Sequence, residues 1–130
     1  MANTVDRNNY LDVLKLEFSA GPGSFINTMR IKLIWDKKAF TKLVTAMQIC
    51  CEEYQGYHED SYYTYKIERW LAEGFYYFEK SVKEWTQNEY FKKVYALDYY
   101  EMAYQRLELL ASWFFHGACP TKDGWGFDPI

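Results

Sequence analysis

The strongest constraint on this chain is a periodicity in its middle. Ile67, Leu71, Phe75, Phe78, Val82 and Trp85 recur within a narrow arc of a helical wheel, with Arg69 and Lys83 opposite. Such a stripe is one face of an amphipathic helix, stabilised by burying that face against neighbours. The pattern predicts a helix from near Ser61 to about Thr86. Gly74 falls inside the apolar arc, where the missing side chain permits close approach by a neighbouring helix.

Two more long helices are legible. One follows Asp36, an acceptable N-cap, carries the stripe Phe40, Leu43, Met47, Cys50 and Tyr54, and is expected to stop at Gly56. The other runs from about Asp98 to His116, with room for an earlier turn from near Asn88. Its main stripe is Tyr100, Ala103, Tyr104, Leu107, Ala111 and Phe114, and Gly117 and Pro120 end it. Leu109, Leu110, Trp113 and Phe115 spread apolar surface round its last turns, as in a central helix packed on several sides.

The N-terminal third reads in two ways. "VLKLEF" and "RIKLIW" alternate like strands around a Gly-Pro-Gly connection, whereas "DRNNYLDVLKLEF" and a Ser24-capped "FINTMRIKL" read as helices. Helices are favoured, because two isolated strands make a poor sheet. The expected fold is a mainly α single-domain bundle spanning residues 1–130. Residues 117–130 form an irregular tail, pinned onto the body by Trp125 and Phe127.

Aromatic residues make up 21% of the chain, so rings must fill much of the core, and each buried Tyr or Trp needs a partner for its polar tip. Three cysteines, two of them adjacent, give no disulfide framework and suit a reducing compartment. No leader-like pattern opens the chain, and the longest apolar run, "LLASWFF", is far too short to span a bilayer. A cytoplasmic location away from membranes is expected. The net charge of −3 argues against a nucleic-acid partner.

Catalytic groups are sparse. The two histidines, His58 and His116, lack the Glu three positions earlier that a di-iron carboxylate bundle requires. "GPGSF" lacks the Lys and Ser/Thr of a phosphate loop. His116 and Cys119 are spaced to share a metal but supply half of a typical zinc site. Cys51, at the edge of its stripe, has no identifiable base, and buried cysteines are usually inert. No catalytic residue, metal or cofactor is expected.

Two features remain unused by the core. The helix after Asp36 carries charges against its dipole, with Lys37 and Lys38 at the positive end and Glu52 and Glu53 near the negative end. Each such exposed charge costs about 0.3–1 kcal/mol. Neighbouring segments neutralise these ends, or they serve function. In the second case Lys37 and Lys38 form an anion site and the acidic stretch, Glu52, Glu53, Glu59 and Asp60, meets a basic partner. The second feature is aromatic. Tyr65 and Tyr76 lie opposite the buried arc near Arg69, whereas Trp70 and Tyr77 lie on its shoulder.

The functional expectation is a non-catalytic protein-binding module of the inhibitor, immunity-protein or adaptor kind. Its acids would steer a basic partner, and Tyr62, Tyr65 and Tyr76 with Arg69 would supply contact area. A homodimer through the same rings would compete for that surface. The alternative is a small-ligand binder with a pocket lined by Phe78, Trp85, Tyr100 and Tyr104.

Overall fold

A computed structural model of the chain describes residues 4–59, 68–121, 127 and 130, with the backbone alone for 55–59. Among them are five helices: α1 (Tyr10–Phe18), α2 (Phe25–Lys32), α3 (Lys37–Glu59), α4 (Arg69–Thr86) and α5 (Leu97–His116). The N-terminal third is helical, as favoured from its sequence.

Side-chain acceptors decide where α2 begins. Ser24 Oγ accepts the Asn27 N–H at 3.1 Å. Glu17, near the end of α1, lends its carboxylate to the Phe25 and Ile26 N–H groups at 2.7 and 3.3 Å. Three donors that a helix start leaves unpaired are thus satisfied, two of them by another helix. Asp36 caps α3 in the expected way, its carboxylate accepting the Ala39 N–H at 3.1 Å.

Two expected boundaries are corrected. Gly56 does not stop α3, which continues to Glu59. A mid-helix glycine costs only about 1 kcal/mol relative to alanine, which surrounding turns can override. Gly117, by contrast, adopts the left-handed φ of 76° and ends α5, its N–H bonded to the Trp113 carbonyl at 2.8 Å. The helix expected from near Ser61 begins at Arg69, because Glu68 is extended with ψ 137°; Ser61 and Ile67 lie outside the described residues. The extra turn near Asn88 is an isolated one: the Asn88 side chain accepts the Tyr90 N–H and its carbonyl accepts the Phe91 N–H.

The helices close a ring. α1 packs on α3, α3 on α5, α5 on α4, and α4 back on α1, while α2 touches α1, α3 and α4. Phe40, Leu43, Met47 and Cys50 of α3, Leu71, Phe75, Phe78 and Val82 of α4, and Tyr100, Ala103, Leu107 and Phe114 of α5 are buried in one core. The Phe75 and Phe114 rings stack at 4.2 Å across α4 and α5. α1 reaches α4 through Phe18, whose ring meets Phe75 and Phe78 at 5.9 and 5.2 Å and lies directly over Gly74.

The polar tips of the buried rings are satisfied. Trp35, missed as a core residue by the sequence reading, meets Phe25, Phe40, Tyr99 and Tyr100, and its indole N–H donates to Tyr99 Oη at 3.0 Å. Tyr100 Oη accepts the Val94 and Tyr95 N–H groups, and Tyr104 Oη pairs with Thr86 Oγ1. Of the residues near the C-terminus, Phe127 meets Trp113 at 5.5 Å and Ile130 packs on the core. Trp125 lies outside the described residues. Trp113, off the main stripe of α5, is buried beside Phe127.

Two outcomes follow from these contacts. A Cβ at position 74 would overlap the Phe18 ring, so Gly74→Ala should lower stability by roughly 1–3 kcal/mol in urea unfolding, the usual cost of overpacking. The second concerns Glu17, which burial drives from 4.5 up to about 7 against the opposing pull of its two N–H donors. Its folded value exceeds its unfolded one. The stability it confers is therefore complete below pH 4.5 and is lost as pH rises through about 7. Glu17→Gln should carry a fixed penalty but lack that slope. The stability difference between variant and parent should move in the variant's favour across this window and stay flat above it.

Candidate interaction surface

α4 presents two aromatic faces that the core does not consume. On the outward strip, Arg69 Nε donates to Glu73 Oε1 at 2.7 Å, and Tyr76, 60% exposed, has Lys80 Nζ 5.9 Å from its ring centre. On the shoulder, Trp70 packs edge-on against Phe18 at 6.1 Å and hydrogen-bonds Glu68, while Tyr77, 38% exposed, leans on Phe78.

The shoulder borders an open trough. Its largest hollow, about 660 Å³, lies between α1 and α4 and is lined by Lys15, Phe18, Ser19, Trp70, Gly74 and Tyr77, among others. A second hollow, about 310 Å³, continues beneath Ala20 towards Ile26 and Arg30 of α2. A third, about 330 Å³, follows α4 past Ser81 and Trp85 to Asn88. Tyr77 lines all three. The helical spacing places Tyr77 at the edge of the core and Tyr76 opposite the buried arc; only the neighbouring helices put Tyr77 at the centre of the hollows. The available signal was Gly74, whose close contact with Phe18 shapes the trough floor.

The remaining expected site residues are scattered. Arg69 and Tyr76 share the outward strip of α4. Glu53 sits on α3, 3.8 Å from Arg7, and Glu52 is exposed beside it. Among the described residues no hydrogen bond or ion pair joins these acids to the α4 strip. Asp60, Tyr62 and Tyr65 lie outside the described residues, as does the Glu59 side chain. Of the expected anion pair, Lys37 turns its ammonium over the Tyr95 and Tyr99 rings at 5.3 and 4.9 Å. Lys38 stays exposed, and both line a groove with Thr41, Lys42 and Tyr95. Thus Arg7 and two tyrosine rings meet part of the reversed charge of α3.

The pocket residues named for the small-ligand alternative do not form one cavity between helices. Tyr100 is enclosed by Trp35, Phe91, Tyr95 and Tyr99. Tyr104 is buried, Phe78 floors the open trough, and Trp85 lines its far hollow.

The two adjacent thiols, Cys50 and Cys51, are placed for inertness. Burial pushes Cys50 up to about 12 and Cys51 higher still, and Cys51 Sγ lies 3.4 Å from the Leu110 carbonyl. His116 Nδ1 faces the Ser112 carbonyl of its own helix at 2.9 Å. Among the described residues no group of three or more His, Cys, Asp or Glu converges as metal ligands, and no helix is long and apolar enough to cross a membrane. Comparison with protein-family models, with curated proteins and with solved structures finds no match to the chain.

A thiol reagent at neutral pH should modify Cys119, which is partly exposed, and leave Cys50 and Cys51 unmodified until the protein unfolds. Mass mapping of the labelled peptides in native and denatured protein reads this directly.

Proposed function

We propose that the chain is a non-catalytic module that binds another protein, in the manner of an inhibitor, immunity protein or adaptor. The observation that carries this reading is the aromatic surface of α4. Trp70, Tyr76 and Tyr77 stay at least partly open beside a core already filled by other rings. Aromatic residues and arginine are the types that dominate binding energy at protein interfaces. Glu52 and its acidic neighbours add a field that would speed encounter with a basic partner.

A second reading, a small-ligand binder, has one observation in its favour. The hollow of about 660 Å³ lies within the usual range of ligand sites. Its wide mouth and scarcity of convergent polar groups favour a macromolecule.

The test is chemical cross-linking in cell extract, identification of the captured protein, and kinetics with the purified pair. Tyr76→Ala should accelerate dissociation, and Glu52→Gln with Glu53→Gln should slow association and flatten its salt dependence. Unchanged kinetics in all these variants would overturn the protein-binding reading as drawn here. A metabolite that raises the melting temperature and is blocked by Tyr77→Ala would favour the second reading instead.

A further inference from the structure

We propose that the trough along α4 receives an amphipathic helix of a partner protein, seated on Phe18, Gly74, Tyr77 and Phe78 with an acidic residue towards Lys15 and Arg30. The proposal deepens the protein-binding reading and rests on it.

The ring of helices is uneven. α1 has 9 residues and α4 has 18, so at 1.5 Å per residue they span about 13 Å and about 27 Å. One side of a bundle is therefore half the length of the helix it faces, and the three hollows lie along that side. Trp70, Tyr77, Ser81 and Trp85 line them from a single strip of α4, because their spacings of seven, four and four residues return to one face, and Asn88 of the turn beyond α4 adds to the far hollow.

Main-chain chemistry selects a helix for this space. Between Gly74 and Ser81 the long wall is the interior of α4, whose backbone N–H and C=O groups are bonded within the helix and present no edge to an extended strand. An occupant must satisfy its own backbone, and a helix does so while presenting apolar anchors at i, i+3/i+4 and i+7.

Charge selects the sequence. Two carboxylates at the hollows beside α1 are already engaged, Glu17 by the α2 amides and Glu73 by Arg69. The side chains of Lys15 and Arg30 have no ion pair among the described residues, which leaves the α1–α2 rim positive. Glu84 borders the far hollow, so a partner helix that is acidic at one end and basic at the other fits the trough in one direction.

The test uses the full chain and a phage-displayed library of alanine-scaffold helical 16-mers randomised on one face. Recovered peptides should carry apolar residues at helical spacing with acids beside them. Their affinity by fluorescence anisotropy should fall at least about tenfold with Tyr77→Ala and with Lys15→Glu plus Arg30→Glu. Leu97→Ala, exposed at the start of α5 and lining none of the three hollows, should leave it unchanged. Peptides that are absent, extended, devoid of acids beside their anchors or insensitive to the trough variants would overturn the proposal. So would a homodimer seen by light scattering and abolished by Tyr77→Ala, since the trough would then be its own interface. The same variants applied to the cross-linked partner separate the two claims. A complex weakened by Tyr76→Ala and the Glu52 and Glu53 substitutions, but untouched by Tyr77→Ala, would sink the trough and leave the protein-binding reading standing.

Discussion

The contact between Phe18 and Gly74 organises this molecule. α1 is short, and its hold on α4 runs through one ring set over a residue without a side chain. That contact closes the cycle of α1, α3, α5 and α4, and it also sets the floor of the trough beside it. A larger residue at position 74 would lift the ring and open the bundle on its thinnest side. The position thus joins packing to surface shape: where one helix approaches closely, the space next to it is left unfilled.

Aromatic cores carry a polar cost, and this one meets it with specific partners. Each buried indole or phenol must find a hydrogen bond or lose the free energy of desolvation. Trp35 finds Tyr99, Tyr104 finds Thr86, and Tyr100 finds the backbone ahead of α5. The Trp35 and Tyr100 bonds tie loops to α5, and the Tyr104 bond ties the end of α4 to it, so the rings fix segments in place as well as filling volume. Glu17 acts similarly at the first turn of α2, with the difference that its carboxyl titrates near neutrality.

Surface chemistry follows from what the core leaves over. α4 buries one arc, shares its shoulder with a trough, and turns Tyr76 outward. The proposed protein partner would use these faces, which need no reacting group. On α3, Asp36, Arg7 and the Tyr95 and Tyr99 rings surround charges that would otherwise oppose the helix dipole. Part of what resembled a functional charge pattern is thereby structural, and Glu52 and Lys38 are the members without an ion pair or ring contact among the described residues.

The sequence by itself determined the helical class, the three long stripes, the Ser24 and Asp36 caps, the Gly117 stop and the special place of Gly74. Each depends on neighbours within about one or two helical turns, where spacing and side-chain chemistry act locally. The end of α3 at Glu59 and the start of α4 at Arg69 escaped it, because propensities of about 1 kcal/mol yield to packing from distant residues. Trp35 as a hub, Trp113 beneath the tail, and Tyr77 at the meeting of three hollows were also beyond it. A helical wheel reports which side of one helix a residue occupies; only the arrangement of all the helices decides whether that side faces a neighbour, a tail or an open trough.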